Sequence, residues 1–355
     1  MIHYAPRAPL SLLLRRPSPA MDEALAIAPS RFHFSRDALH SCFSRGGTVW
    51  FPSFHCGMEV RAAVDAGCTP RFYRVRDDLT IDEAELAACV AKEPGTIVVI
   101  HYFGFPQPGI ARIAALGLPL IEDCSHAFLS RFDGKPLGTF GDAATFSTYK
   151  TLGTVDGGGL RGGSSGFLGS SGSSAWGVGL QRTPGPAGLI ALDAHLASWK
   201  KQWRDRRECD GDILRQRFED RVRTAQARIF AAPWQYGRGM SRLSLALTRR
   251  IDPRQVIERR RANYRRLATL LNLDATLADG VVPLFLPYFV DDRTSTLVRL
   301  QSRGIEPFIF GMFSHPAMQE GEFPEARRLR QNLLCLPIHH DLRDEDLVRI
   351  AEALR

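Results

Sequence analysis

From residue 34 to residue 146, short apolar runs alternate with segments whose apolar residues recur at helical spacing. The apolar runs are rich in β-branched and aromatic residues, which is typical of buried strands; they cover residues 48–51, 71–75, 96–100 and 118–121. The helical segments between them cover residues 58–66, 81–91 and 110–116. This alternation predicts a doubly wound α/β layer, in which ligands bind at the carboxyl ends of the strands.

The pattern changes after residue 160. Residues 161–179 are dominated by glycine and serine, which predicts either a mobile loop or a flap over an active site. The later part of the chain predicts helices over residues 191–231 and 253–271, strands over 283–290 and 304–309, and a last helix over 345–354. Three parts follow: an N-terminal arm (1–33), a large domain (34–250, with a Gly/Ser-rich loop at 162–174) and a smaller C-terminal α/β domain (251–355).

Two charged residues each follow a buried apolar run. Asp123 comes after residues 118–121, and Lys150 comes after residues 143–146 and before a glycine-rich turn. A carboxylate can hold the ring nitrogen of pyridoxal 5′-phosphate (PLP) protonated, and a lysine can carry that cofactor as a Schiff base. Burial at a strand end is expected to lower the pKa of such a lysine. The spacing alone is also compatible with a surface lysine and a loop-capping aspartate.

The full string around these residues is more specific. It reads IEDCSHAFLSRFDGKPLGTFGDAATFSTYKTLGTVDGGGL over residues 121–160, and similar motifs are WFPSF (50–54), AGCTP (66–70), HYFG (101–104) and LPIHHDL (336–342). Together they resemble the DegT/DnrJ/EryC1/StrS family of PLP enzymes, mostly sugar aminotransferases. The resemblance covers most of the chain from about residue 34. It implies an α/β fold of PLP-dependent transferase fold type I, with a large doubly wound mixed-sheet domain and a smaller C-terminal α/β domain.

The resemblance also implies which residues do the chemistry. Lys150 would hold the cofactor and shuttle the substrate α-proton, and Asp123 would pair with the pyridinium nitrogen. Glu122 is expected to be structural. His126 aligns with a family glutamine that contacts the phenolic oxygen of the cofactor, although a histidine packed at a helix start is an alternative reading.

Three further residues are expected around the phosphate and one beside the ring. Ser147 matches the phosphate-binding serine of the family. Ser35 and Arg36 open a predicted helix, whose free amides favour a phosphate. Arg36 either adds a charged contact there or points outward. A residue of the segment 53–56 stacks on the cofactor ring in the family, and His55 is the candidate here because Cys56 has no ring.

These residues predict a PLP-dependent aminotransferase that moves an amino group from a donor such as glutamate to a nucleotide-linked keto-sugar or a related keto metabolite. The family's Asn-x-Arg motif, through which a neighbouring subunit reaches phosphate and substrate, is not found; residues 182–186 lie in roughly that region. Two alternatives stay open: another PLP reaction, such as carbon–carbon bond formation or decarboxylation in secondary metabolism, and a non-catalytic regulator. The lysine argues against the dehydratase branch of the family, which has a histidine there.

Composition and charge limit the kinds of partner that we expect for the chain. The chain has 355 residues, 44% of them hydrophobic, which is enough for a large core in two domains. Its seven dispersed cysteines favour reduced thiols in a cytoplasm over a metal site. Much of the net charge of +8 lies between residues 200 and 266. It predicts either a solvated helix face or the attraction of an anionic substrate or of a surface such as nucleic acid or a membrane, and the interleaved acids argue against nucleic acid. No apolar run reaches the ~20 residues of a membrane span. The expected partners are a small-molecule amino donor, a keto acceptor and a second copy of the chain in a homodimer.

Overall fold

The computed structural model describes residues 1–43, 46–162, 234, 236–312 and 314–355. The predictions for the Gly/Ser-rich loop beyond Gly162, for the helix over 191–231 and for the segment 182–186 lie outside the described residues.

A seven-stranded mixed sheet is the centre of the large domain. The described residues of this part of the chain form nine strands: β1 (Ser30–Phe32), β2 (Thr48–Pro52), β3 (Thr69–Tyr73), β4 (Thr96–Ile100), β5 (Leu120–Cys124), β6 (Arg131–Phe132), β7 (Lys135–Pro136), β8 (Ala143–Ser147) and β9 (Gly158–Gly162). The sheet order is β1-β9-β8-β5-β4-β2-β3, and β6 pairs only with β7. Neighbouring strands pair in parallel along the stretch β8-β5-β4-β2-β3. At the other edge, β9 pairs antiparallel with β8, and β1 pairs antiparallel with β9.

Helices cover both faces of this sheet, as the sequence predicts. They are α1 (Pro19–Ala26), α2 (Ser35–Cys42), α3 (Met58–Asp65), α4 (Glu83–Lys92), α5 (Ile110–Ala114) and α6 (Thr148–Leu152). Side chains of alternate strand residues point to opposite faces. In β4, Val98 therefore packs with α2 and α3, whereas Ile97 and Val99 pack with α4 and α5. The doubly wound arrangement thus follows from continuous apolar runs that are buried on both faces.

The C-terminal part builds its own core. Its helices are α7 (Arg242–Thr248), α8 (Pro253–Leu270), α9 (Arg293–Ser302), α10 (Pro324–Asn332) and α11 (Asp344–Leu354), and β10 (Phe285–Phe289) pairs antiparallel with β11 (Leu333–Pro337). Helix α8 begins where the sequence predicts, with Asp252 capping the amide of Arg254 and a proline in the first turn. The strand predicted over 304–309 is wrong, because this segment makes only isolated bridges at Ile305 and Phe308.

The N-terminal segment packs on the chain's own body. Ile2 is buried in the core of the C-terminal part and exchanges backbone hydrogen bonds with Gly304 and Glu306. Met21 and Leu25 of α1 are buried against the large domain. Residues 1–33 are therefore bound to both parts of this chain along much of their length, rather than forming a free arm.

Candidate active site

A cavity lies at the carboxyl ends of the parallel strands. It is lined by side chains from widely separated segments: Phe34, Ser35, Arg36, Leu39, Cys56, Met58, Glu59, Ile100, Asp123, Ser125, His126, Tyr149, Lys150 and Phe310. Five residues expected from the sequence are among them, namely Ser35, Arg36, Asp123, His126 and Lys150. The sheet order explains this, because β2, β4, β5 and β8 all end at this edge.

Lys150 lies in the short helix α6 that directly follows β8, one turn beyond the end of the strand. The helix ends at Gly153, which adopts a left-handed conformation with φ 77°. The guanidinium of Arg260 on α8 donates to the carbonyl of Thr151 at 2.9 Å and to that of Leu284 at 3.0 Å. This buried arginine therefore ties the lysine-bearing helix to the C-terminal part of the chain.

The charges around Lys150 raise the pKa of its amine. Burial by itself lowers the pKa, but Tyr149, Cys56, Asp123 and Glu59 each raise it, and together they outweigh burial. The expectation of a lowered pKa is therefore wrong in sign. Sequence reasoning counted the desolvation of the lysine and could not count anionic groups from four other positions.

Asp123 and Glu122 are neighbours in β5 with separate surroundings. Asp123 faces the cavity, and its Oδ1 accepts a hydrogen bond from the amide of Ser125 at 2.8 Å. Its other oxygen has no hydrogen-bond donor among the described residues. Asp123 lies inside the strand rather than after it, opposite Ile100 of β4 and Thr145 of β8.

Glu122 is held in a closed hydrogen-bond network. Its Oε1 accepts from the amides of Phe140 and Gly141, and its Oε2 accepts from the amide of Gly138 and from Nε2 of His101. Burial by itself raises the pKa of Glu122, but the His101 hydrogen bond and these amides bring it below its ordinary value. The structural role expected for Glu122 agrees with this geometry.

A metal is a poor fit at this network. Ligand atoms of His101, Glu122 and Cys124 lie within 4.8 Å of one another. However, Nδ1 of His101 accepts from the amide of Gln107, so Nε2 carries the hydrogen donated to Glu122. Burial also raises the pKa of the Cys124 thiol well above its ordinary value, and a thiol must lose its proton to bind a metal.

The start of α2 forms one side of the cavity, and Ser147, which is buried and not among the lining residues, lies behind it. Ser147, at the end of β8, donates to the hydroxyl of Ser35 at 2.8 Å, and Ser35 is the first residue of α2. The guanidinium of Arg36 lies over the ring of Phe34 at 4.6 Å and over the ring of Trp234 at 4.2 Å. No carboxylate of the described chain forms a salt bridge with Arg36. Hydroxyls, free amides and a cation thus meet in one place, as an anion requires.

The two expected histidines differ in position. His126 lines the cavity and stacks on Phe103, with ring centroids 5.5 Å apart. Its Nδ1 lies 3.5 Å from the amide of Phe103, and its buried Nε2 has no partner among the described residues. Burial, followed by the charge of Lys150, holds the pKa of His126 well below its ordinary value.

His55 does not line the cavity. Its ring stacks on Phe72 at 5.5 Å, and its Nδ1 accepts from the amide of Gly57 at 3.0 Å. The neighbouring Cys56 faces the cavity instead. The geometry therefore does not bring His55 to the place where the resemblance puts a stacking ring.

Among the lining residues that sequence reasoning missed are Cys56, Glu59, Tyr149 and Phe310. Glu59 carried a usable signal, since it is an acidic residue in the first turn of the helix that follows a buried parallel strand. Phe310 carried none, because only the packing of the C-terminal part brings it to the cavity. No helix in the described parts of the chain is both long and apolar enough to cross a membrane.

Comparisons with known proteins agree with this geometry. The model of the DegT/DnrJ/EryC1/StrS aminotransferase family matches residues 38–161. A UDP-N-acetyl-3-dehydro-alpha-D-glucosamine 3-aminotransferase of Acidithiobacillus ferrooxidans is 26% identical over 87% of this chain and 77% of its own length. A GDP-perosamine synthase of Escherichia coli O157:H7 is 32% identical over 32% of this chain and 33% of its own length.

The solved structures confirm the fold prediction. The aminotransferase TlmJ from Streptoalloteichus hindustanus superposes with a TM-score of 0.67 and 21% identity, covering 100% of this chain and 98% of that one. The matched family segment holds β2 to β9 and with them Asp123 and Lys150. Residues 38–161, which contain both of these residues, thus match the DegT/DnrJ/EryC1/StrS aminotransferase family that the motifs resemble.

Proposed function

We propose that the chain is a PLP-dependent aminotransferase that moves an amino group from an amino acid, in the first instance glutamate, to the carbonyl of a nucleotide-linked keto-sugar or a related keto metabolite. The observation that carries this proposal is a single cavity. It unites Lys150, Asp123 and the start of α2, although Ser35 and Lys150 are far apart in the sequence. The names of the two relatives above support a keto-sugar as acceptor.

The residues present fit the cofactor. The hydroxyls of Ser35 and Ser147 and the amides at the start of α2 would hold the phosphate, with Arg36 beside them. Asp123, with one oxygen free of hydrogen bonds, would keep a proton on the ring nitrogen. Because Nδ1 of His126 faces a backbone donor, its Nε2 carries the hydrogen and can donate it to an oxygen of the cofactor.

Lys150 has two tasks in this proposal. Its Nζ would hold the cofactor covalently, and once released it would take the proton from the substrate carbon and return it. PLP supplies the electron-accepting ring and the carbonyl that carries the amino group. Burial of the surrounding side chains limits water near Lys150, which strengthens the charges that act on its amine.

The test is a covalent label on Lys150. Borohydride reduction of the protein with PLP, followed by peptide mapping, should mark Lys150 in the wild type and in a Lys135→Ala control, and no lysine in Lys150→Ala. In a separate, unreduced sample with PLP, an amino donor added alone should convert the bound cofactor to its amino form. A label on another lysine would overturn the assignment. A correct label without conversion by any donor would favour a different PLP reaction.

We also propose that the protein works as a homodimer in the cytoplasm. A two-fold dimer is the commonest closed assembly, and the six described cysteines are all free, which suits a reducing compartment. The segment after Gly162, expected to approach the partner's cofactor, lies outside the described residues. Light scattering of a dilution series should give the mass of a dimer. A fully active monomer at assay concentration would contradict a shared site.

A further inference from the structure

One pair of cavity residues has no part in the chemistry described so far. Glu59 is the second residue of α3, and it is buried with 4% of its surface exposed. Its Oε1 accepts from the amide of Cys56 at 3.0 Å, and its Oε2 accepts from the thiol of Cys56 at 2.9 Å. Both side chains line the cavity together with Lys150.

The hydrogen bonds of Glu59 support its ionised form. Both carboxyl oxygens accept from donors, so neither needs to carry a proton. The carboxylate also lies in the first turn of an eight-residue helix, whose N-terminal end favours negative charge. Burial, followed by the charge of Asp123, opposes this by raising the pKa of Glu59. An anion so placed is stabilised most effectively by a nearby cation.

The cations in reach are few. Lys150 lines the same cavity, and Glu59 is one of the groups that raise the pKa of its amine. Arg330 of α10 also interacts with Glu59, but its guanidinium is engaged with Glu320 and with the carbonyl of Ser53. Arg36 lies between two aromatic rings on the α2 side. Among the described residues, Lys150 is thus the cavity cation that is neither stacked between aromatic rings nor bound to another acceptor.

We propose that Glu59 is a positioning residue that, together with Asp123, holds the proton on the free amine of Lys150. This proposal rests on the proposed function, in which an amine that keeps its proton can return it to the substrate carbon. The proton moves between Nζ of Lys150 and that carbon, while Glu59 stays ionised. Cys56 fixes the carboxylate through its amide and its thiol.

The groups that face Lys150 set the background of the test. Tyr149, Cys56 and Asp123 act on it in the same direction as Glu59, and His126 is held neutral by burial. Substitution of Glu59 removes one of several groups that raise the pKa of Lys150, so that pKa should remain partly raised. A carboxylate within about 4–6 Å of an amine raises the pKa of the amine by roughly one unit or more.

The experiment is competitive acylation of Lys150 in the cofactor-free protein with acetic anhydride across a pH series, with Lys150 identified by peptide mapping. It needs neither PLP nor substrate, so its result is independent of the proposed activity. In Glu59→Gln, the pH of half-maximal labelling should fall by about one unit relative to the wild type. In Glu59→Asp, which keeps the charge, most of the wild-type value should return.

Two controls separate the charge from the fold. Cys56→Ala removes the thiol donor but keeps the carboxylate, and Glu352→Gln makes the same change at an exposed site of α11. Glu352→Gln should label Lys150 within a few tenths of a unit of the wild type, and Cys56→Ala should lower the midpoint by less than Glu59→Gln does. An unchanged midpoint in Glu59→Gln, or an equal fall in Cys56→Ala, would overturn the proposal. If Glu59→Gln does not fold, Glu59→Ala takes its place: its midpoint should fall as expected for Glu59→Gln, and an unchanged midpoint would overturn the proposal.

Discussion

Neighbouring residues of one strand have opposite tasks in this protein. Asp123 faces the cavity, and Glu122 faces the hydrogen-bond network with His101 and the 138–141 turn. Alternation along β5 is the reason, because successive side chains leave a strand on opposite faces. The chemistry of each carboxylate is thus set by the face on which it lies, and not by its residue type.

Replacement of Asp123 by asparagine should cripple turnover while the protein still folds. The amide cannot keep a proton on the ring nitrogen of PLP, so kcat should fall on the order of 10²-fold or more. Steady-state kinetics with a donor and an acceptor measure this, beside Asp133→Asn, an exposed aspartate in the β6–β7 hairpin, as control. Near wild-type kcat in Asp123→Asn would refute the assigned role.

At the level of elements, the cavity depends on the close approach of β9 to the start of α2. A Cβ added to Gly158 would lie 2.3 Å from the carbonyl carbon of Phe34 and 2.8 Å from the amide of Ser35. The glycine-rich turn after the lysine segment is therefore a packing requirement as well as a conformational one. It lets the helix that carries Ser35 reach Ser147.

The variant Gly158→Ala should push the start of α2 away from β8. The atoms that the added Cβ would meet belong to the backbone, which cannot move without strain. We therefore expect a loss of about 1–3 kcal/mol in the free energy of unfolding. Because Ser35 moves with the helix, the Kd for PLP should rise as well. Urea unfolding and a PLP titration measure the two effects. Gly321→Ala is the matched control, since no atom lies within 4 Å of its added Cβ. Equal behaviour of the two variants would contradict the packing argument.

On the scale of the whole molecule, the N-terminal segment, α8 and the end of β11 meet in one buried cluster. Nε2 of His339 lies 3.0 Å from the carbonyl of His3, and the amide of Arg7 donates to Asp341. Burial, followed by the charges of Arg260 and Arg259, lowers the pKa of His340 to about 3. The junction between the two parts of the chain therefore contains an uncharged histidine.

This histidine should make the protein sensitive to acid. The folded state binds the proton near pH 3 and the unfolded state near pH 6.5, so stability falls as the pH drops from about 6.5 toward 3. The slope contributed by His340 is at most about 1.4 kcal/mol per pH unit. Urea unfolding across this range should show a flatter profile for His340→Asn than for the wild type. Parallel profiles would mean that His340 binds its proton equally in both states.

The sequence by itself determined the local pattern of this protein. Alternating buried strands and helices predicted the doubly wound sheet, because hydrophobic periodicity is a property of each segment. The resemblance of residues 121–160 to a known family singled out Lys150 and Asp123, since a short motif carries their spacing. Strand ends shifted by about two residues, and the segment 304–309 was predicted as a strand although it pairs only through isolated bridges.

The tertiary structure alone decided which groups meet. Phe310, Cys56 and Glu59 come to Lys150 from distant segments, and no local pattern encodes such contacts. The same holds for the pKa of Lys150, because the direction of its shift depends on the sum of burial and four neighbouring groups. The adjacent residues His55 and Cys56 are an example. Backbone direction after β2 places the thiol in the cavity and the ring on Phe72, and only the folded chain fixes that direction.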